Sequence, residues 1–111
     1  MPLEGFTPWP AELAREYKAR GYWPDRTIPE VLEPWFQKAA DREAVIDESS
    51  RVTYGEMGRM INRLALAMLE LGIKREDRIL IQLPNWAEFF YFYFGLMKMG
   101  AIPVMAIPHL R

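Results

Sequence analysis

Few side chains in this sequence are suited to chemistry, and the best candidates follow two short apolar runs. Asn85 follows the run at 79–83 after Pro84, while His109 and Arg111 follow the run at 104–107. Ligands of open α/β sheets bind outside the carboxyl ends of the strands, so these three residues are candidates for a substrate-binding edge. Asn85 has an alternative interpretation as the N-cap of the following helix. We predict no catalytic residue within the 111 positions.

The sequence lacks the arrangements on which most enzyme sites are built. With no cysteine and a single histidine, it excludes thiol catalysis, disulfides, thiolate metal sites and multi-histidine zinc sites. It contains no Walker-type phosphate loop, no GxGxxG and no GxSxG elbow. Its carboxylates lie beside caps, turns and basic neighbours, and we interpret them as solvated charges: Asp25, Glu30, Glu33, Asp41, Glu43 and Asp47. We therefore expect neither a metal site nor a tightly bound cofactor here.

Composition excludes several other classes of protein. The 14 basic and 15 acidic residues nearly cancel, which gives no electrostatic footprint for nucleic acid. Half of the residues are apolar, which indicates a globular chain rather than a disordered one. Residues 1–5 show no signal-peptide pattern, and the uncharged stretch at 89–97 is far shorter than the ~20 residues that span a bilayer. We expect a cytoplasmic protein without membrane contact.

The elements that would position the candidate edge form a β-α-β unit. A strand at 79–83, a helix at 86–99 ended by Gly100 and a strand at 104–107 predict a parallel pair with a crossover helix. Neither strand alternates apolar with polar residues, so we expect both faces of each to be covered. The six aromatic residues at 89–94 surround the helix axis and predict a helix buried on every side. So short a chain can hardly surround such a helix, which indicates part of something larger.

Three further segments precede this unit. An N-terminal arm contains a helix at 11–20, and we expect its aromatic residues to anchor it onto a body: Trp9, Tyr17, Tyr22 and Trp23. A capping box, Thr27 with Glu30, opens a helix to about Ala40 in which Pro34 predicts a kink or restart. Its predicted buried residues are Val31, Leu32, Trp35, Phe36 and Ala39. A small hairpin is predicted from 44–47 and 51–53 around a turn at 48–50.

A second capping box, Thr53 with Glu56, opens a helix that runs to Leu71 and that Gly72 ends. Three- and four-residue spacing predicts an inward stripe on this helix: Met57, Met60, Ile61, Leu64, Met68 and Leu71. We divide the chain into an arm, residues 1–26, and an incomplete domain, residues 27–111.

Several segments in order resemble the opening of the acyl-adenylate-forming enzymes. They read DREAVI at 41–46, VTYGEM at 52–57, LGI at 71–73, DRI at 77–79, QLPN at 82–85 and GAIPV at 100–104. The front end, GFTPWP at 5–10 with GYW at 21–23, is similar to that of the 2,3-dihydroxybenzoate-AMP ligases of siderophore synthesis. The histidine stands one place nearer Pro108 than in those enzymes.

The resemblance implies the N-terminal part of an α/β large domain, with a helical arm, a small β-hairpin and a parallel β-α-β unit. It also implies a parent enzyme that uses ATP and Mg²⁺ to convert an aryl acid, such as 2,3-dihydroxybenzoate, to an adenylate. An aryl carrier protein's phosphopantetheine thiol would then take the acyl group. The family's phosphate loop, ribose-binding aspartate and catalytic lysine do not occur between Met1 and Arg111. The 111 residues are therefore predicted to be an inactive scaffold.

Two alternatives remain open from the sequence. The parent could be a CoA-dependent benzoate or fatty acyl ligase, with CoA as the acceptor. The chain could instead be a stand-alone interaction module that uses a sheet edge and the aromatic helix. Because unpaired strands and exposed apolar faces promote association, we also expect the isolated chain to self-associate.

Overall fold

A computed structural model describes residues 5–109 and shows a small α/β structure with four helices and two two-stranded sheets. This confirms the predicted fold class. β1 and β2 form an antiparallel hairpin, and β3 and β4 form a parallel pair joined by α4. In chain order the elements are α1 (Ala11–Ala19), α2 (Ile28–Lys38), β1 (Glu43–Ile46), β2 (Arg51–Thr53), α3 (Tyr54–Glu70), β3 (Arg78–Ile81), α4 (Ala87–Met99) and β4 (Ile102–Met105).

Both predicted capping boxes are present. Thr27 Oγ1 accepts from the Glu30 amide at 3.4 Å, and Glu30 Oε2 accepts from the Thr27 amide at 2.6 Å. Thr53 and Glu56 repeat this exchange at 3.3 and 2.9 Å. The backbone hydrogen bond from each threonine is the main cause of a lowered pKa at its glutamate. These reciprocal bonds fix where α2 and α3 begin.

Pro34 does not end or restart α2, which runs unbroken through it. Proline cannot donate to the carbonyl four residues earlier, that of Glu30. The Arg26 guanidinium replaces the missing amide donor, because its Nη2 donates to the Glu30 carbonyl oxygen at 2.6 Å. A side chain from outside the helix therefore replaces the missing intrahelical bond.

The core lies where α3 crosses α4, with α2 against its side. Ile61 on α3 and Leu96 on α4 are almost completely buried. The crossing is close because Gly95 has no side chain: a Cβ there would lie 3.0 Å from a Leu64 methyl. Gly58 has the same role toward α2, since a Cβ there would lie 2.8 Å from Phe36. Two glycines thus set the spacing of the three helices.

The predicted buried faces of α2 and α3 are only partly buried. On α2, Ala39 is buried and Leu32 and Phe36 are half-buried, but Val31 and Trp35 are exposed. The stripe of α3 is buried at Met57 and Ile61 and half-buried at Leu64 and Met68, whereas Met60 and Leu71 are exposed. The prediction was wrong for the four exposed residues, because no described element covers that side of either helix.

The β-α-β unit has the predicted parallel pairing, with β3 Leu80 in register with β4 Val104. β4 begins two residues earlier than predicted. The prediction that both sheet faces are covered was wrong within residues 5–109, since Leu80 is 64% exposed and Val104 41%. Only the opposite face, which carries Ile81, packs on α4. The aromatic residues at 89–94 are all at least half-buried, although only Tyr91 is fully so.

The arm holds its predicted helix, but within residues 5–109 its aromatic residues do not anchor it onto the core. Trp9 and Tyr22 each contact Tyr17, with ring centroids 6.2 and 6.4 Å apart, so these rings cluster within the arm. Trp9, Tyr22 and Trp23 remain exposed, and α1 has no buried residue. The aromatic residues stabilise the arm locally rather than attaching it to the helical core.

Candidate functional site

Parallel pairing brings the carboxyl ends of β3 and β4 to one edge. The Ala106 amide donates to the Ile81 carbonyl at 2.9 Å, which extends the ladder beyond the last residue of β4. The Gln82 side-chain amide then donates to the Ile107 carbonyl at 3.1 Å. The segments at 82–86 and 106–109 are thereby held side by side, as the sequence predicts for a candidate edge.

Two of the three candidate residues lie within the described part of the chain. Asn85 lies exposed in a bend between β3 and α4, and His109 lies exposed in a turn after β4. Arg111 falls outside the described residues. The alternative interpretation of Asn85 was wrong, because the N-cap of α4 is Trp86, which makes no side-chain capping bond. The substrate-edge role of the three residues stays a prediction.

The missing cap comes from Asp47, a residue interpreted from sequence as a solvated charge. Its Oδ2 accepts from the amide of Ala87, the first residue of α4, at 2.9 Å. Its Oδ1 accepts from the amides of Ser49 and Ser50 at 2.8 and 2.7 Å, and from their hydroxyls at 3.1 and 3.0 Å. One carboxylate therefore closes the β1–β2 turn and caps a helix 40 residues away.

These bonds explain the electrostatics of Asp47. The Ala87 amide, followed by the Ser49 amide, holds the pKa of the Asp47 carboxyl far below its ordinary value. Partial burial acts in the opposite direction but does not outweigh them. The carboxylate is thus ionised throughout the neutral range, as a cap at a helix N-terminus requires. We infer that Asp47 holds the hairpin against the start of α4.

The local part of the role of Asp47, closing the β1–β2 turn, could be predicted from the sequence. An aspartate with serines two and three residues further on, between two short strands, is typical of a side chain that accepts from the backbone amides of those residues. The bond to Ala87 had no local signal, since it depends on how the hairpin lies against the β-α-β unit. Asp47 was missed for that reason.

Within the described part of the chain, the observed bonds hold the two loop segments at 82–86 and 106–109 side by side. Within residues 5–109, no three His, Cys, Asp or Glu side chains come together as metal ligands would. None of the helices in that range is long and apolar enough to cross a membrane.

Comparison with known proteins gives a consistent result. Residues 32–111 match the family model described as AMP-binding enzyme. The chain is 44% identical to triostin synthetase I of Streptomyces triostinicus and 41% identical to a 2,3-dihydroxybenzoate-AMP ligase of Bacillus subtilis, in each case over 98% of its length. It is 38% identical over its whole length to a salicylyl-CoA synthase / salicylate adenylyltransferase of a Streptomyces species. It spans only 20–21% of these three relatives.

Solved structures show the same relationship. The apo structure of MbtA from Mycobacterium smegmatis matches 96% of this chain with a TM-score of 0.91 and 48% identity, and the chain covers 20% of it. The N-terminal subdomain of Klebsiella oxytoca NpsA matches 78% of the chain with a TM-score of 0.74, and the chain covers 23% of it. At 24% identity, this second match supports the fold alone.

Proposed function

This chain belongs to the AMP-binding enzyme family, and we propose on that basis that the whole protein activates an aryl carboxylic acid with ATP. In the proposed first step, a carboxylate oxygen attacks the α-phosphorus of ATP, and pyrophosphate leaves with the electrons of the broken P–O bond. In the second step, a thiolate attacks the acyl carbon, a thioester forms and AMP leaves. Mg²⁺ would balance the phosphate charge during the first step.

The observation that carries this proposal is the extent of the similarity at the front of the chain. A match over 98% of 111 residues necessarily includes nearly all of the arm at 1–26. The relative concerned is a 2,3-dihydroxybenzoate-AMP ligase, and residues of the arm also resemble that class. The similarity therefore favours an aryl acid, with 2,3-dihydroxybenzoate as the first substrate to test.

The 111 residues have a supporting role in this proposal. We assign the arm, residues 1–26, and the partial domain, residues 27–111, to scaffolding, with Asn85, His109 and Arg111 facing the substrate region. The chain lacks the family's phosphate loop and catalytic lysine, so we propose that it has no adenylating activity alone. Other segments of the whole protein would supply the phosphate loop and the lysine. In this proposal, the whole protein is a cytoplasmic enzyme.

The thiol acceptor separates two candidate functions. We propose the phosphopantetheine of an aryl carrier protein, in keeping with siderophore synthesis. Coenzyme A is the second candidate, because a relative 38% identical over the whole chain is named a salicylyl-CoA synthase. Both acceptors present the same thiol, so the residues that choose between them must contact the rest of the carrier or coenzyme.

ATP–pyrophosphate exchange tests the proposal. On the whole protein we expect exchange with 2,3-dihydroxybenzoate or salicylate well above that with benzoate or a fatty acid. Thioester formation with an aryl carrier protein, compared with CoA, then identifies the acceptor. The isolated 111 residues should give background exchange with every acid. Exchange with fatty acids only would overturn the aryl-acid assignment, and exchange by the isolated chain would overturn its scaffold role.

A further inference from the structure

The segment at 82–86, which follows β3 at the candidate edge, is held at both of its ends. At its start, the Gln82 side-chain amide donates to the Ile107 carbonyl at 3.1 Å. At its end, the backbone amide of Ala87 donates to Asp47 Oδ2 at 2.9 Å. The first bond connects the ends of the two parallel strands, whereas the second connects the segment to the hairpin. The position of this segment therefore depends on a residue 40 places earlier in the chain.

Asn85 lies at the centre of a tight turn between these two bonds. The Trp86 amide donates to the Pro84 carbonyl at 2.8 Å, which closes a three-residue turn around Asn85. Pro84 stiffens this turn because its ring fixes the φ angle. Asn85 is exposed, whereas Ala87, two residues further on, is buried. With a single residue between them, a shift of the Ala87 amide must also move Asn85.

The Asp47 carboxylate is oriented before it reaches α4. Its Oδ1 accepts four hydrogen bonds from Ser49 and Ser50, which fix the plane of the carboxylate and direct Oδ2 at the Ala87 amide. Both oxygens act as acceptors, so neither can be replaced by a donor. An asparagine would present its NH₂ group either to Ala87 or to the serines. Asp47→Asn is therefore an isosteric change that breaks one of the two sets of bonds.

Ligands of open α/β sheets bind outside the carboxyl ends of the strands, and the turn at 84–86 lies at that end of β3. We propose that Asp47 is a positioning residue that holds Asn85 where the aryl carboxylic acid binds, an inference that rests on the proposed function. Asn85 contacts the acid through its side-chain amide, which can donate to a carboxylate or phenol oxygen. Triphosphates, in contrast, are bound mainly by cations. Asp47 acts through the Ala87 amide and makes no contact with the substrate.

ATP–pyrophosphate exchange on the whole protein tests this role in Asp47→Asn, in Asn85→Ala and in the double variant. We expect each single change to raise the KM for the aryl acid roughly three- to tenfold, the effect of losing one hydrogen bond, and to leave the KM for ATP unchanged. The double variant should be no worse than Asn85→Ala, because Asp47 acts only through Asn85. A residue that merely stabilised the fold would instead multiply the effect of Asn85→Ala.

Two control variants separate positioning from stability. Glu48→Ala changes the same turn without touching the bonds of Asp47, and it should leave the KM for the acid unchanged. Gly58→Ala disturbs the contact between α3 and Phe36 of α2, and it should lower the melting temperature without raising that KM. Thermal unfolding of every variant, followed by circular dichroism, verifies that each is folded at the assay temperature.

Several outcomes would overturn the positioning role. They are an unchanged KM for the acid in Asp47→Asn or Asn85→Ala, multiplied effects in the double variant, and a rise in the KM for ATP alone. A rise in Gly58→Ala as large as that in Asp47→Asn would also overturn it. Failure of the proposed function gives a different result, because the unmodified whole protein would then show no exchange with any aryl acid. The positioning role would fail with it.

Discussion

At the scale of single residues, Asp47 shows how one side chain can connect parts of the chain that are distant in sequence. Its two oxygens accept from Ser49, Ser50 and Ala87, and so join a hairpin turn to the start of α4. Helix caps are usually local, supplied by the residue just before the first turn. Here the local position, Trp86, has no side chain that can accept, and tertiary contact supplies the cap instead.

We expect Asp47→Ala to lower the melting temperature at neutral pH. The Asp47 pKa is depressed in the folded state, so its stabilising effect is present above the unfolded pKa of about 4 and is lost as pH falls below it. The difference in melting temperature between variant and parent should therefore shrink in acid. Thermal unfolding followed by circular dichroism across that range measures it. Glu48→Ala, in the same turn, is the control and should change little; equal effects of both substitutions would contradict the role of Asp47.

Arg26 and Pro34 form a second coupled set of residues. We expect Arg26→Ala to cost about 0.5–1 kcal/mol in the free energy of unfolding, because the Glu30 carbonyl loses its donor. In a Pro34→Ala background, the restored backbone amide makes that donor unnecessary, and the cost should disappear. Urea unfolding of the four variants in a double-mutant cycle provides the coupling energy. Additive effects would show that the arginine does not replace the missing helix bond.

At the scale of secondary-structure elements, the helix spacing depends on two glycines in helix interiors. Glycine at such positions costs about 0.5–1 kcal/mol relative to alanine, so close packing must offset that cost. At Gly58 the partner is the Phe36 side chain of α2, and at Gly95 it is Leu64 of α3. Both contacts would be too close for any residue with a Cβ unless a neighbour moved.

Gly58→Ala tests this spacing. A Cβ at 2.8 Å from Phe36 forces a rearrangement, and overpacking costs about 1–3 kcal/mol, which outweighs the gain in helix propensity. We expect a net destabilisation of about 1 kcal/mol in urea unfolding. Ala67→Gly, at an exposed position of the same helix, calibrates the propensity term alone. Stabilisation by Gly58→Ala would show that α2 and α3 are not in close contact there.

At the scale of the whole molecule, the chain is more extended than a compact domain of its length. Its radius of gyration is 16.1 Å, compared with about 13 Å for 111 compactly folded residues. The arm contributes to the larger radius of gyration, because no ion pair draws it toward the core among the described residues. Its ion pairs, Lys18–Asp25 and Arg20–Glu16, connect residues of the arm to one another. One side of α2, one side of α3 and one face of the β3–β4 sheet are also exposed apolar surfaces, since none of them has a described neighbour.

Deleting the arm tests whether it contributes to the stability of the core. We expect a chain that begins at Arg26 to melt at the same temperature as the parent, because α1 has no buried residue. Arg26 is retained for its bond to the Glu30 carbonyl. Differential scanning calorimetry makes the comparison, with Gly58→Ala as a positive control for a detectable shift. A lower melting temperature after truncation would indicate that the arm packs on the core.

The sequence alone determined the local structure and the family. Both capping boxes, the hairpin, the ends of α3 and α4 and the parallel β-α-β unit depend on neighbouring residues or on the period of apolar positions. Only the tertiary structure decided which faces are covered and which carboxylate caps α4. Periodicity identifies a helix's apolar side but not whether a neighbour covers it, so Trp35, Met60 and Leu80 were misjudged. Asp47 needed the three-dimensional arrangement because its partner lies 40 residues away.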